Sequence, residues 1–249
     1  MDSQIEHISD TARWVAVYRA MESERPDAHF RDPYARRLAG ERGEAIVRGL
    51  RRGRQSAWAM IVRTKVLDDL IVQVDLPGIL DYKAAQLAAE SPRCQLERIA
   101  TDLTDLDARR ALFARVGAGA RRALVITEGL LAYLDREQVA SLATDLHAPL
   151  SFGTWLTDIV SPRILKLLQR QLGNELGGAG AQMKFGPPEG ADFFRPYGWT
   201  VVEATSMLEA ARRLRREFPL AWFWRATLLT ERQRAEWKRL SQILELARA

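Results

Sequence analysis

Ala123-Leu124-Val125-Ile126-Thr127 is a short apolar run that is followed at once by Glu128 and Gly129. Such a run, bounded by turn residues, is typical of a strand buried inside a sheet. A helical pattern follows at 136–147, and a second strand pattern follows at 152–159. Strands that alternate with helices predict an α/β fold in which helices cover a parallel sheet.

The alternation extends upstream, with strand patterns at 72–75 and 95–100 and helical patterns at 77–89 and 105–116. Ligands of open parallel sheets bind outside the carboxyl ends of the strands. Asp75, Asp102 and Glu128 each follow a predicted strand. We therefore expect their three carboxylates to converge around one ligand.

Helical patterns precede the sheet and mixed patterns follow it, and we predict one domain over 1–249. Residues 1–70 form a helical cap and a lead-in helix, and 71–249 form the sheet domain with a lid insertion at about 161–198. The predicted N-terminal helices begin at about 10, 33 and 56 and end before Pro26, near Gly40 or Gly43, and at Leu70. The tail predicts a strand at 199–203, a helix through Arg216 and an aromatic strand at 222–224.

The composition excludes several classes of protein. With 249 residues, 47% hydrophobic side chains and a single cysteine, Cys94, the chain has no internal disulfide framework. No signal peptide or membrane span is evident, which favours the cytoplasm. The net charge of +5 includes basic clusters at 48–54 and 212–216, which lack interleaved aromatic residues. We read both as solvated faces and expect no nucleic-acid, membrane or metal partner.

Each candidate residue has a structural and a functional interpretation. A carboxylate after a strand can cap the next helix, or it can accept both hydroxyls of a ribose, as Asp75 would. Asp102, with the backbone of Leu103, could hold an adenine edge. Glu128 could cap a turn or face a ligand. Arg63, on an apolar helix, is either a surface residue or the partner of a ligand carboxylate.

Six stretches, taken in order, carry a family resemblance. They are Ser9-Asp10-Thr11-Ala12-Arg13-Trp14-Val15-Ala16, Phe30-Arg31-Asp32-Pro33-Tyr34-Ala35, Val62-Arg63-Thr64-Lys65, Val74-Asp75-Leu76-Pro77, Thr127-Glu128-Gly129-Leu130-Leu131-Ala132-Tyr133-Leu134 and Phe193-Phe194-Arg195-Pro196-Tyr197-Gly198-Trp199. Together they resemble the leucine carboxyl methyltransferase superfamily. Within it, they are most similar to bacterial S-adenosylmethionine-dependent O-methyltransferases, which include polyketide O-methyltransferases.

The resemblance implies a class I methyltransferase fold, Rossmann-like, with an N-terminal helical cap and S-adenosyl-L-methionine as cofactor. It implies that Asp75 binds the ribose and that Asp102 and Leu103 bind the adenine. It also implies that Arg63 holds the carboxylate of the cofactor and that Glu128 lies near its amino group. The catalytic residue stays open, although His29 is the histidine that we favour as a base.

One part of the family pattern is missing. The family places a first strand and a glycine-rich loop between the helix that carries Arg63 and the strand that ends at Asp75, and the chain has no room for them there. Gly117-Ala118-Gly119 and Gly178-Ala179-Gly180 follow no strand and are poor substitutes. A deletion from the gene model, a degenerate homologue and a rearranged sheet are all open explanations.

The sequence thus favours a methyltransferase that acts on a carboxylate or hydroxyl of a small molecule. The alternative is a truncated, inactive homologue with a binding role or none. A nicotinamide dehydrogenase is disfavoured because no Gly-x-Gly-x-x-Gly follows a strand. The methyl acceptor and the oligomeric state are open at this point.

Overall fold

The structure is a computed structural model that describes residues 10–50, 57–67, 77–90, 97–177, 182–218, 221–227 and 230–249. The chain divides into two compact units. The helical unit comprises Met1–Asp69, Lys166–Gln182 and Ser206–Ser241, and the sheet unit comprises Leu70–Leu165, Met183–Thr205 and Gln242–Ala249. The single domain stays a prediction.

The described elements follow in chain order. The α-helices are α1 (Asp10–Ser23), α2 (Ala35–Gly49), α3 (Ala57–Leu67), α4 (Pro77–Gln86), α5 (Leu106–Gly119), α6 (Arg136–His147), α7 (Pro162–Gly177), α8 (Met207–Arg213), α9 (Ala221–Ala226) and α10 (Glu231–Lys238). The strands are β1 (Ala123–Thr127), β2 (Phe152–Val160), β3 (Trp199–Ser206) and β4 (Ser241–Arg248). Short 3₁₀ helices cover Leu131–Tyr133 and Gly190–Tyr197.

The helical unit is built on the packing of α1 against α2 and α3. Val17 and Tyr18 of α1 are buried together with Ile46 of α2. The two helices approach closely at Gly43, where an added Cβ would lie 2.8 Å from the carbonyl oxygen of Arg13. Glycine is therefore required at this crossing, because any larger residue would push the helices apart.

Helix α2 does not end at Gly40 or Gly43 as predicted, but continues to Gly49. Gly40 departs from helical geometry, with φ 57° and ψ −178°, and the helix resumes after it. Only glycine adopts such a conformation at low cost. The helix continues beyond this kink because Ile46 and Val47, which follow it, are buried in the core.

The sheet unit contains a four-stranded sheet in the order β1-β2-β4-β3. β1 and β2 are parallel, and Thr127 lies opposite Thr157 in their register. The predicted α/β class is confirmed, and so are the bounds of β1 and α6. Helix α6 begins where it does because Asp135 and Gln138 form a capping box.

A core of aromatic and aliphatic residues packs around β2. Trp155 makes edge-to-face contacts with Trp199 and Phe194, at ring-centroid distances of 5.4 and 5.1 Å. Phe193 and Phe185 are buried in the same cluster, 4.9 Å apart. These residues of the predicted lid therefore serve the core, and that packing accounts for their apolar character.

Two predicted strands are wrong. Residues 97–99 of the predicted strand at 95–100 have no regular structure, and Ala100 makes a single bridge. The aromatic segment at 222–224 lies in helix α9, where Trp222 and Phe223 are 63% and 51% exposed. Aromatic residues favour strands because they pack on a half-buried sheet face, and no such face covers these two side chains.

β4, which the sequence analysis missed, supplies the further strand, with Ile243, Leu244 and Leu246 buried. The predicted strand at 72–75, including Asp75, lies outside the described residues, as do the residues just before it. β1 is at the edge of the four-stranded sheet that the structure describes. β1 therefore pairs with one neighbour, β2, among the strands that the structure describes.

Candidate functional site

The carboxyl ends of β1 and β2 are joined by side-chain hydrogen bonds. The Thr127 hydroxyl donates to the Thr157 hydroxyl over 2.8 Å and accepts from the indole N–H of Trp155 over 3.0 Å. The Thr157 hydroxyl also lies 3.4 Å from the carbonyl oxygen of Thr127. All three side chains are buried, so these polar groups satisfy one another inside the sheet. The end of β1 is therefore fixed to β2.

The residue just beyond this junction is Glu128, which is exposed. Gly129 follows it with φ 63°, a left-handed conformation that favours glycine. The Gly129 N–H donates a 2.6 Å hydrogen bond to Oδ1 of Asp158 on β2. Glu128 thus lies in a turn between two residues that are both hydrogen-bonded to the neighbouring strand.

The second predicted pair, Asp102 and Leu103, lies in the turn before α5. Asp102 is exposed, and its Oδ1 accepts hydrogen bonds from the N–H and the hydroxyl of Thr104, at 2.8 and 2.7 Å. This is an Asx turn, in which an aspartate fixes its own loop. Asp105 then caps α5 by accepting from the N–H groups of Asp107 and Ala108. The acid that caps the helix in this segment is therefore Asp105, and not the predicted site residue Asp102.

A buried arginine that the sequence analysis did not single out supports this turn. Nη1 of Arg109 donates to the carbonyl oxygen of Leu103 over 2.9 Å. Its other guanidinium nitrogens bind Asp145 and Ser141 of α6. A signal was present in the sequence, because Arg109 shares a helical face with Leu112, which is buried, and with Phe113, which packs against the core.

The remaining predicted site residues are Arg63 and Asp75. Arg63 is half-buried on α3, in the helical unit. Asp102, Leu103 and Glu128 belong to the sheet unit, and Asp75 is outside the described residues. The convergence of the three carboxylates on one ligand stays a prediction.

His29, the favoured base, is held within the helical unit. Its Nε2 is bonded to the carbonyl oxygen of Leu214, and its backbone N–H donates to Oε1 of Glu22 over 2.8 Å. These contacts join the loop after α1 to the end of α8. They give His29 a structural role that needs no ligand.

The basic stretch at 212–216 is only partly a solvated face. Arg212, Arg213 and Arg215 are exposed, but Arg216 is buried and forms a two-pronged ion pair with Glu22, at 2.8 and 2.9 Å. The prediction is therefore wrong for Arg216. Its partner Glu22, on α1, is 194 positions away in the sequence, so no local pattern could reveal the pair.

A widely open cavity of about 790 Å³ lies at the other end of these strands, between α5 and the loop after α6. Its lining includes Arg110, Arg121 and Pro149, and none of the predicted cofactor residues. Gly117 packs there, since a Cβ added to it would lie 2.5 Å from Cβ of Pro149. We assign no cofactor site to this cavity, because strand-end ligands of parallel sheets bind at the opposite edge.

Among the described residues no helix is long and apolar enough to cross a bilayer, and no group of three or more potential metal ligands is present.

A stretch of the sheet unit matches a known protein family. The model of the leucine carboxyl methyltransferase family matches residues 70–147 of this chain. A Streptomyces coelicolor protein named "Putative S-adenosyl-L-methionine-dependent methyltransferase" is 29% identical over 236 residues, which cover 76% of this chain and 82% of that protein. A Streptomyces avermitilis protein of the same description is 30% identical over 189 residues, covering 58% and 66%. The chain is similar to the leucine carboxyl methyltransferase family over these residues. The resemblance stated from its motifs is confirmed.

Two solved structures of methyltransferases align with most of this chain. One is magnesium protoporphyrin IX methyltransferase from Synechocystis with bound SAH (TM-score 0.41, 13% identity, 80% of this chain and 85% of that chain). The other is an O-methyltransferase family protein from Burkholderia thailandensis (TM-score 0.45, 16% identity, 97% and 70%).

Proposed function

We propose that this chain is an S-adenosyl-L-methionine-dependent O-methyltransferase that acts on a carboxylate or hydroxyl of a small molecule. Methyltransferase and cofactor follow from the family match and from the relatives, which share that description. The choice of oxygen as acceptor rests on the sequence motifs. The class I fold is part of the same proposal.

The observation that carries the proposal is the placement of Glu128. Glu128 is exposed directly after strand β1, in a turn whose two flanking residues are fixed by β2. The family match, 70–147, also contains Asp75, Asp102 and Leu103, so four of the five predicted cofactor residues lie within it. A fixed, exposed acid at a strand end is suited to a ligand that carries hydrogen-bond donors.

The residues present fit the cofactor by their chemistry. Asp75 would accept the ribose hydroxyls, Asp102 and Leu103 would bind the adenine edge, Glu128 would face the amino group, and Arg63 would hold the carboxylate. When bound, S-adenosyl-L-methionine supplies an electrophilic methyl group. The chain would hold the acceptor oxygen in line with that group and exclude water from the pocket.

The nature of the acceptor decides whether a base is needed. A carboxylate is already a nucleophile at neutral pH and needs none, whereas a phenol gains from a general base. His29 is bonded to the carbonyl of Leu214 within the helical unit, which gives no support to the role of base. We therefore favour a carboxylate acceptor over a hydroxyl.

Calorimetric titration with S-adenosyl-L-methionine and its demethylated product tests the cofactor. Asp75→Ala should weaken binding roughly 10- to 150-fold, the range expected for one charge-assisted contact. Arg63→Ala should weaken S-adenosyl-L-methionine more than adenosine, which lacks the carboxylate. Equal losses for the two ligands would contradict the role of Arg63.

The rival proposal is that this chain is a truncated, inactive homologue that binds no cofactor. It is favoured by the missing first strand and by the position of β1 at the edge of the described sheet. Absence of both heat and thermal shift at millimolar S-adenosyl-L-methionine would support the rival. Transfer of a labelled methyl group to a panel of carboxylic acids, with phenols in parallel, would identify the acceptor.

A further inference from the structure

We infer that Asp158 is a positioning residue, which holds the Glu128–Gly129 peptide so that Glu128 faces the cationic amino group of a nucleoside that carries an amino acid. The inference rests on the proposed function and deepens it. Neither the sequence motifs nor the family match, which ends at residue 147, includes Asp158.

The hydrogen bond from the Gly129 N–H to Asp158 Oδ1 fixes the orientation of one peptide plane. At 2.6 Å it is short for an N–H donor, as expected for a charged acceptor. The amide that donates it belongs to the peptide that joins Glu128 to Gly129. The contact therefore sets the direction in which the backbone leaves Glu128.

The other side of Glu128 is fixed independently. Thr127 is bonded through its hydroxyl to Thr157 and Trp155, and Thr157 is the residue just before Asp158 on β2. Two consecutive residues of β2 thus hold the two neighbours of Glu128. The parallel register, in which Thr127 lies opposite Thr157, brings these groups together.

This arrangement is costly for a simple turn. Aspartate is unfavourable in a strand, and fixing an exposed residue costs backbone entropy without burying apolar surface in return. Glu128 is exposed, so its fixed backbone contributes nothing to the core. Polar groups that hold an exposed acid in one place are characteristic of a binding site in which the residue that contacts the ligand must be preorganised.

The ligand class follows from the charge. Glu128 presents an anionic acceptor from a rigid support, and its complement is a group that donates hydrogen bonds and carries positive charge. A primary ammonium, as on the amino-acid part of the cofactor, satisfies both conditions. A nucleoside without that part has no group for Glu128 to bind.

The test compares two ligands on three proteins by calorimetry. S-adenosyl-L-homocysteine carries the amino-acid part, and 5′-methylthioadenosine lacks it. Asp158→Ala should weaken the first about tenfold, as for one lost charge-assisted contact, and the second less than about twofold. Asp158→Asn keeps a carbonyl acceptor for the Gly129 N–H and should restore binding of both ligands to within about threefold of the wild type.

Equal weakening of both ligands, or no rescue by Asp158→Asn, would assign Asp158 a merely structural role and overturn the inference. Unchanged binding in Asp158→Ala would also overturn it while leaving the proposed function intact. If the wild type binds neither ligand, the proposed function itself fails and the inference falls with it. Should Asp158→Ala not fold, Asp158→Glu, which displaces the acceptor by one methylene, must show the same selective loss.

Discussion

Arg109 holds the carbonyl oxygen of Leu103 through a 2.9 Å hydrogen bond from Nη1, and thereby connects a buried cation to the predicted adenine-side turn. The side chain of Arg109 is buried, with the residue 1% exposed. Its Nε donates to Oδ2 of Asp145 over 3.0 Å, and its Nη2 donates to Ser141 over 2.7 Å. Every arm of this guanidinium is therefore used, and the turn depends on the same group that stabilises α5 against α6.

Arg109→Met should lower the free energy of unfolding by about 3–5 kcal/mol, because it leaves Asp145 buried without its main partner. Chemical denaturation measures this loss. Arg110→Met is the matched control, since Arg110 is the next residue and also binds Asp145, at 3.1 Å, but its side chain is 57% exposed. It should cost only about 0–1 kcal/mol. Equal losses would show that burial of Arg109 is not the deciding factor.

The sequence predicted those elements whose signals are local. β1 and α6 were predicted at their observed bounds, because an apolar run and the capping box of Asp135 and Gln138 are contained in a few consecutive residues. The type of sheet followed from the alternation of strands and helices.

The contacts that support the site could not be predicted in this way. Arg109 meets Asp145 across 36 positions, and Gly129 meets Asp158 across 29. In a sequence, the partners of Asp145 and Asp158 cannot be identified before the fold brings them near, and the position of Arg109 on an apolar helical face does not reveal which acid it meets. The exposed helix at Trp222 and Phe223 was mistaken for a strand for a related reason, since strand propensity depends on the surface that covers the side chain.

Glu22 and Arg216 form a second buried ion pair, in the helical unit, with the side chains 0% and 8% exposed. Arg216 also donates to the carbonyl oxygen of Asp27 over 2.8 Å. Arg216→Met should lower the free energy of unfolding by about 3–5 kcal/mol, since it leaves the buried Glu22 carboxylate with only the His29 N–H and the more distant Arg25, at 3.8 Å, as partners. Denaturation of both single variants and of the double variant Glu22→Leu, Arg216→Met would measure the coupling.

In that cycle the double variant should be less destabilised than the sum of the single variants, by about 0.5–3 kcal/mol. The control is Arg36→Met, since the side chain of Arg36 is 47% exposed and pairs with Glu24 at 2.6 Å. Its loss should be about 0–1 kcal/mol. Strict additivity for Glu22 and Arg216 would mean that the two charges do not stabilise each other.

Gly198 and Gly190 both have positive φ, at 85° and 62°, but their surroundings differ. A Cβ on Gly198 would lie 2.6 Å from Nε2 of His147, whereas a Cβ on Gly190 would have nothing within 4 Å. Either change to alanine should cost about 1–2 kcal/mol of backbone strain. Gly198→Ala should cost about 1–3 kcal/mol more, because the imidazole is confined by Trp199 at a ring distance of 5.6 Å. Thermal unfolding of the two variants checks the difference, and equal losses would exclude the steric contribution.

His147 predicts how stability changes with pH. Burial of the imidazole, aided by the positive charge of Arg248, lowers the pKa of His147 below its ordinary value of 6.5. Nε2 is buried and has no hydrogen-bond partner within the described part of the chain. In the interval just below pH 6.5 the unfolded chain therefore binds more protons than the folded chain. The contribution of His147 to the free energy of unfolding is complete above pH 6.5, and it is lost as the pH falls from 6.5 towards the lower pKa of the folded state.

Denaturation of the wild type and of His147→Gln at pH 7.5 and at pH 5 measures this loss. The wild type should lose more stability than the variant between the two pH values, with a slope of at most about 1.4 kcal/mol per pH unit. Added salt should change the difference little, since burial, which salt does not screen, is the larger cause. A nuclear magnetic resonance titration of the ring would test the same point directly. A folded-state pKa at or above 6.5 would contradict the prediction, and so would identical pH dependence of the two proteins.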